Sequence, residues 1–141
     1  MIDPTIQRMG QRGSGVVVNV IGAGGKVASP IHMPGGAANA ALMLATAGLA
    51  TTYAAKGVRV NAVNPGATVT DRLKEGFAAD ARANGISEAE AMKRTTARIP
   101  LGRMAEPREI ADAVVFLASP RASYISGVSL TMDGVMTPTV L

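Results

Sequence analysis

The sequence predicts an α/β fold in which three short parallel strands are flanked by helices. Residues 16–21, VVVNVI, form a β-branched run without polar alternation, which is typical of a strand covered on both faces of a parallel sheet. A long apolar helical segment and a second β-branched run, VRVNAV, follow in that order. Because a strand, a helix and a strand in succession form a right-handed crossover, the two strands are expected to be parallel.

The composition fits one domain and argues against several classes of protein. The chain has 141 residues, 48% of them hydrophobic, so it can bury a sizeable core. It has no cysteine, which excludes disulfides and thiolate metal sites and is compatible with a reducing cytoplasm. The net charge is +4, but the basic residues are dispersed and aromatic residues are few, so nucleic acid is not an expected partner. With no signal peptide visible and no metal-ligand spacing, we expect a cytoplasmic protein without a metal.

One long helix dominates the middle of the chain. Pro34 is a favourable first helical residue, because its fixed φ suits the turn and its missing N–H would be unpaired there. Gly57 suits a left-handed residue at the far end. The faces between them are nearly all Ala, Gly, Leu, Met and Thr, so the helix is expected to be covered on most sides, in a core or a subunit interface. Asn39, Thr51 and Thr52 interrupt the apolar run, so a membrane span is the weaker alternative.

Local signals place the remaining elements. A helix is expected to end near residue 12, before two glycines. Another starts at Thr70 or the next residue and closes at Gly85, and Ser87 with Glu90 forms the capping-box pattern of a third. Pro107 stands at the first position of a fourth. The strands are expected at residues 16–21, 58–63 and 128–132, the second stopped by the Asn-Pro-Gly sequence at 64–66 and the third by the Asp-Gly turn at 133–134.

Four stretches, GSGVVVNVIG, GVRVNAVNPGATVT, IPLGRMAEPREIADAVVFLAS and ASYISGVSLTMDG, occur in this order together with the long helix. In this order they resemble the C-terminal half of a short-chain dehydrogenase/reductase. The resemblance covers nearly the whole chain. It implies the C-terminal half of a Rossmann-type doubly wound parallel sheet, with the three strands as its fifth, sixth and seventh. It also implies an oxidoreductase that moves a hydride between NAD or NADP and a carbonyl or alcohol.

The resemblance places Gly22, Gly35 and Asn39 at the positions of the family's catalytic Ser, Tyr and Lys, with the family's spacings of thirteen and four residues kept. None of the three functional side chains is present, so no catalytic residue is predicted. The amide of Asn39 can still form a hydrogen bond with a ribose hydroxyl. His32, three residues before the Tyr position, is an alternative proton donor, although a loop histidine in solvent is the more ordinary interpretation.

A cofactor site is implied by the segment after the second strand. The resemblance carries four cofactor-binding residues to Pro65, Gly66, Thr68 and Thr70, where backbone groups meet the nicotinamide amide and a Thr hydroxyl meets the pyrophosphate. The same residues can also simply end a strand and cap a helix. The family's Gly-rich phosphate loop, TGxxxGxG, does not occur in these residues, and the glycines at 22, 24 and 25 are a weaker candidate for phosphate binding.

Residues 1–141 are therefore expected to form a single partial Rossmann-like domain without the N-terminal dinucleotide-binding half. We expect an oxidoreductase that is weakly active or inactive as this chain alone. The alternative is a non-catalytic truncated remnant that acts through oligomerisation or association with a partner. The sequence does not choose between NAD and NADP, because the residues that read the ribose 2′ position lie in the missing half.

Two surfaces are expected to bind other chains. The resemblance implies a subunit interface on the long helix, so we predict a homo-oligomer built on the helix between Pro34 and Tyr53. The strand between Val16 and Ile21 lacks a neighbour on one side in this chain, and its apolar backbone edge is a template for pairing with a partner chain. Nucleic acid and membranes are not expected as partners.

Overall fold

The computed structural model describes residues 2–27 and 33–138. Within them the sheet has three strands in the order β1-β2-β3, and both pairings are parallel, so the predicted α/β class is confirmed. The elements in chain order are α1 (Ile2–Arg12), β1 (Gly15–Val20), α2 (Met33–Tyr53), β2 (Val58–Pro65), α3 (Asp71–Asn84), α4 (Glu88–Ala97), α5 (Pro107–Ala118) and β3 (Ser129–Met132). The predicted proton-donor candidate His32 lies outside the described residues.

The strand and helix ends differ from the predicted ones by one or two residues, for local reasons. β2 continues past the predicted stop because Pro65 pairs with Met132 of β3, and the N–H of Gly66 donates to the Met132 carbonyl at 3.0 Å. α2 begins one residue before Pro34 and is followed by a 3-10 turn, Ala54–Lys56. Gly57 then has φ 70°, the left-handed conformation that its position predicted.

The helix caps of the second half follow the sequence signals closely. The Thr70 hydroxyl accepts from the backbone N–H three residues on, and Gly85 closes α3 with φ 63°. The Ser87 hydroxyl accepts from the Glu90 N–H at 3.1 Å, which is one half of the predicted capping box. The second hydrogen bond of a capping box would join the Glu90 carboxylate to the Ser87 backbone N–H. Here the Glu90 carboxylate instead forms an ion pair with Arg94 on the next turn, at 3.0 Å.

Each face of the sheet has its own apolar cluster. Val17 packs against a cluster on the α1 and α2 side, and its neighbour Val18 packs against a cluster on the α5 side. Because adjacent strand residues point to opposite faces, β1 is covered on both sides, as its β-branched run predicted. The buried members of the first cluster are Ile6, Ala50, Val58 and Val60, and those of the second are Val63, Ile110 and Leu117.

α2 is not covered on most sides by the described residues of this chain, so of the two predicted environments, a core or a subunit interface, the single chain does not provide the core. Only Thr46 and Ala50 of α2 are buried, whereas Leu44 on the opposite face is 77% exposed. The hydroxyls of Thr51 and Thr52 donate to carbonyls one turn back, so the outer face shows few free polar groups. No helix of the described residues is long and apolar enough to cross a membrane.

Arg59 of β2 connects the sheet to the end of α5. Its guanidinium donates to the carbonyls of Leu117, Ser119 and Ile125 at 2.8, 3.0 and 3.2 Å. Since these acceptors terminate α5 and start the connection to β3, one side chain fixes the position of both elements against β2.

Arg59→Met is expected to lower the free energy of unfolding by about 2 kcal/mol, because it removes hydrogen bonds from a charged donor and leaves their acceptors unpaired. Chemical denaturation followed by circular dichroism measures the loss. The matched control is Arg108→Met, which changes an exposed arginine of α5 and is expected to cost less than about 0.5 kcal/mol. Equal stabilities of the two variants would contradict the assignment.

Candidate functional site

Both groups of predicted site residues line one cleft at the carboxyl ends of β1 and β2. The cleft has a volume of about 730 Å³, within the usual range for small-molecule sites. Its walls include the three residues predicted to stand at catalytic positions, Gly22, Gly35 and Asn39. They also include the four predicted cofactor-binding residues, Pro65, Gly66, Thr68 and Thr70. The structure thus brings together residues that lie up to 48 positions apart in the printed sequence. Their roles in binding stay predictions.

A buried asparagine joins the carboxyl end of β1 to the other two strands. Asn64, at 0% exposure near the end of β2, donates from its amide to the Ile21 carbonyl at 3.0 Å. The hydroxyl of Ser129 donates to the amide oxygen of the same Asn64. The end of β1 is thereby attached to β2 and β3, beyond the last regular pair of the sheet.

Close backbone contact between the turn Ala23–Gly25 and α2 accounts for Gly25 in the turn and Gly36 in the helix. A Cβ atom on Gly25 would lie 2.7 Å from the backbone nitrogen of Ala40, and one on Gly36 would lie 2.9 Å from the carbonyl oxygen of Gly24. These distances are shorter than real Cβ contacts allow, so packing of the loop against the helix requires glycine here. Packing thus explains Gly25 without a bound phosphate.

The three residues predicted to stand at the family's catalytic positions are two glycines and one amide. The Asn39 amide nitrogen donates to the Gly22 carbonyl at 3.2 Å, and its amide oxygen has no hydrogen-bond partner among the described residues. A Cβ atom built on Gly35 would meet no heavy atom of residues 2–27 and 33–138 within 4 Å, and Gly35 lines the cleft. The only ionisable side chain among the described lining residues is that of Arg72, which sequence analysis missed. Arg72 lies in the first turn after the Thr70 cap, and this closeness to a predicted cofactor-binding residue could have indicated its place in the cleft.

The predicted cofactor-binding segment, from Pro65 to Thr70, is fixed at both ends. A Cβ atom on Gly66 would lie 2.7 Å from the Cβ of Asp133, so only glycine fits beside β3. The Thr68 hydroxyl donates to the Gly66 carbonyl at 3.2 Å, and the Thr70 hydroxyl caps α3. These residues therefore end a strand and cap a helix, as the sequence also allowed, and they line the cleft as well.

A second cleft lies on the other side of this segment. It has a volume of about 460 Å³ and combines apolar with charged walls. Arg103 binds both carboxylate oxygens of Glu109, at 2.8 and 2.6 Å. The Arg103 guanidinium and then the Glu106 backbone N–H lower the pKa of Glu109 to about 2. The described residues contain no group of side chains that could hold a metal ion.

The fold and the cleft define one half of a doubly wound α/β domain with its candidate site outside the carboxyl ends of the strands. A family model described as enoyl-(acyl carrier protein) reductase matches residues 1–137. The chain belongs to the short-chain dehydrogenase/reductase family.

Two curated relatives illustrate the similarity. The chain is 41% identical over 129 residues to the cis-4-hydroxycyclohexanecarboxylate dehydrogenase of Sinomonas cyclohexanicum, covering 92% of this chain and 47% of that protein. It is 38% identical over 135 residues to an A-factor type gamma-butyrolactone 1′-reductase of Streptomyces virginiae, covering 95% and 49%. The chain thus spans about half the length of the curated relatives that it matches.

Solved structures give the same coverage. A short-chain dehydrogenase family protein from Francisella tularensis superposes with a TM-score of 0.83 at 31% identity, covering 87% of this chain and 51% of that one. An actinorhodin polyketide ketoreductase variant solved with NADPH superposes with a TM-score of 0.86 at 32% identity, covering 91% and 49%. The predicted Rossmann-type half-sheet is therefore confirmed.

Proposed function

We propose that this chain forms the nicotinamide side of the site of an NAD(P)-dependent oxidoreductase acting on a carbonyl or alcohol. Residues 1–141 then constitute a partial Rossmann-like domain, and the dinucleotide-binding half lies outside this sequence. One observation supports this proposal most directly. A single cleft is lined by Gly22, Gly35 and Asn39 and also by residues of the segment from Pro65 to Thr70. The names of the two curated relatives, a dehydrogenase and a reductase, support the reaction class.

The chain's own residues supply binding and orientation. When bound, the cofactor supplies or accepts the hydride. In this proposal the backbone of Pro65 and Gly66 would hold the nicotinamide amide, and the hydroxyls of Thr68 and Thr70 would bind the pyrophosphate. The free amide oxygen of Asn39 accepts from a ribose hydroxyl, because its nitrogen is already engaged by Gly22. Arg72 adds a positive charge to a cleft that receives an anionic cofactor.

Proton transfer is the weak step in this proposal. With glycine at residues 22 and 35 and an amide at 39, the cleft offers no phenol and no lysine at the family's catalytic positions. The proton for the substrate oxygen then comes from water. Positioning alone supplies part of an enzyme's rate, so we expect weak or no turnover by this chain alone.

A non-catalytic role through association is the second candidate. It is supported by the exposed apolar face of α2 and by β1, which pairs only with β2 among the described residues. In this case α2, between Pro34 and Tyr53, joins copies into a homo-oligomer, and the edge between Val16 and Ile21 accepts a partner chain. A cytoplasmic location stays a prediction in either case.

Fluorescence titration with NADH and with NADPH tests the proposed function. We expect saturable binding with a micromolar dissociation constant, and about tenfold weaker binding by Thr68→Val, which loses a hydroxyl near a charged pyrophosphate but keeps its shape. Thr96→Val is the matched control, since the Thr96 hydroxyl caps its own helix turn on α4 and lies outside the cleft. A folded chain that binds neither cofactor would leave association as the remaining function.

A further inference from the structure

Two backbone hydrogen bonds attach the segment that carries Thr68 to Ala105, in front of α5. The Val69 N–H donates to the Ala105 carbonyl at 2.9 Å, and the Ala105 N–H donates to the Ala67 carbonyl at 3.0 Å. Thr68 and Ala105 thus form a parallel bridge outside the main sheet. Because Thr68 lines the 730 Å³ cleft, its position in that cleft depends on where Ala105 lies.

An ion pair fixes the connection that contains Ala105. Arg103 donates from Nη1 to one carboxylate oxygen of Glu109 at 2.8 Å and from Nη2 to the other at 2.6 Å. The same Nη1 donates to the Met104 carbonyl at 3.1 Å. The Glu109 carboxylate also accepts from the Glu106 backbone N–H at 2.8 Å. This ion pair therefore holds backbone groups of both residues that flank Ala105.

The geometry of this ion pair distinguishes it from most exposed ones. Exposed ion pairs usually contribute little, and an arginine that binds both oxygens of a carboxylate is the exception. The Arg103 guanidinium and then the Glu106 N–H lower the pKa of Glu109 to about 2, so its carboxylate is ionised at neutral pH. Pro107 and Ile110, in the first turns of α5, line the 730 Å³ cleft. The ion pair is thus connected to the cleft through α5 as well as through the bridge.

We propose that Arg103 and Glu109 are positioning residues for the cofactor site. Their ion pair holds Ala105, and Ala105 holds Thr68 where it binds the cofactor. Among the described residues that line the 730 Å³ cleft, neither Arg103 nor Glu109 is present, so both act through the backbone and not by contact with the cofactor. The effect on cofactor binding rests on the proposed function, whereas the attachment of the two segments does not.

Glu109→Ala tests the attachment without any cofactor. We expect the backbone N–H groups of Val69 and Ala105 to exchange with solvent about fivefold faster in this variant, because loss of the carboxylate releases both Arg103 and the Glu106 N–H. Hydrogen exchange of the ¹⁵N-labelled chain, followed by nuclear magnetic resonance, measures both rates.

The matched control is Glu90→Ala. Glu90 is the third residue of α4, as Glu109 is of α5, and each forms an ion pair with an arginine. The exposed fractions also match, with 59% for Arg94 and 42% for Glu90 against 59% and 40% for the pair in front of α5. Glu90→Ala is expected to leave the exchange of Val69 unchanged.

Fluorescence titration with NADPH tests the positioning of the cofactor site. Glu109→Ala and Arg103→Met are each expected to bind NADPH about fivefold more weakly than the unmodified chain. The double variant is expected to lose about the same fivefold, because the two side chains act as one unit. A merely structural role would lower the stability of Glu109→Ala and Glu90→Ala alike and leave the NADPH affinity of both folded variants unchanged.

The proposal is overturned if Glu109→Ala leaves both exchange rates unchanged, or if Glu90→Ala accelerates them equally. It is also overturned if the unmodified chain binds NADPH and Glu109→Ala binds it with the same affinity, or if the losses of the two single variants multiply in the double variant. Faster exchange in a chain that binds neither NADH nor NADPH would reject the proposed function and retain the attachment of the two segments.

Discussion

The variant Gly22→Ser/Gly35→Tyr/Asn39→Lys is expected to raise carbonyl reduction at least about a hundredfold, the lower end of what general acid catalysis contributes. The described residues leave space for a Cβ atom at Gly35 and a close but adjustable contact at Gly22. Among the described residues, a Cβ atom at Gly35 meets no heavy atom within 4 Å, and one at Gly22 meets only the Asn39 amide nitrogen at 3.2 Å, which the variant removes. The new lysine is placed to lower the phenol pKa from about 10, so that the phenol can donate a proton near neutral pH.

The matched control is Gly22→Ser/Gly35→Phe/Asn39→Lys, which fills the same space without the phenol hydroxyl. Steady-state oxidation of NADPH with a cyclic ketone, followed by absorbance, gives the turnover of both variants. Equal turnover of the Tyr and Phe variants would show that proton donation at Gly35 is not what limits this site.

Ala41→Arg is expected to reduce the assembly to a single chain of 14.3 kDa in light scattering, whereas the unmodified chain is expected to give at least a dimer. Ala41 lies on the exposed outer face of α2, next to Leu44 in helical spacing. An arginine introduced there would place an unpaired charge in a close-packed apolar interface.

Ala83→Arg is the control for this substitution, since Ala83 is exposed on α3, whose surface is polar and charged. It is expected to leave the mass unchanged. An Ala41→Arg variant that assembles normally would place the interface elsewhere, and circular dichroism of both variants separates loss of assembly from loss of folding.

The strands and caps were predictable because their signals are local. The β-branched runs set β1 and β2, and the caps at Thr70 and Ser87 depend on groups within three residues. The meeting of Gly22, Gly35 and Gly66 in one cleft was also predictable, from the resemblance combined with parallel strand order. Strand ends were less certain because the Pro65–Met132 pair depends on a partner strand far along the chain.

Features that depend on distant contacts or on other molecules were missed. The bond from Lys26 to Thr131 spans 105 positions, so no local pattern indicates it. The smaller cleft combines Ala67 with residues as distant as Pro138 for the same reason. Composition showed that α2 is apolar, but it does not say whether the same chain or another molecule covers the helix, so the sequence could not decide between a core and a subunit interface.

Amide mapping with NADH tests most directly whether this chain forms the nicotinamide side of a cofactor site. We expect the ¹H–¹⁵N signals of Gly22, Gly35, Gly66, Thr68 and Thr70, which line the same cleft, to shift together and to saturate with one dissociation constant. Shifts confined to the amino-terminal edge of the sheet, around Gly57 and Tyr124, or no shifts in a folded chain, would contradict the proposed site.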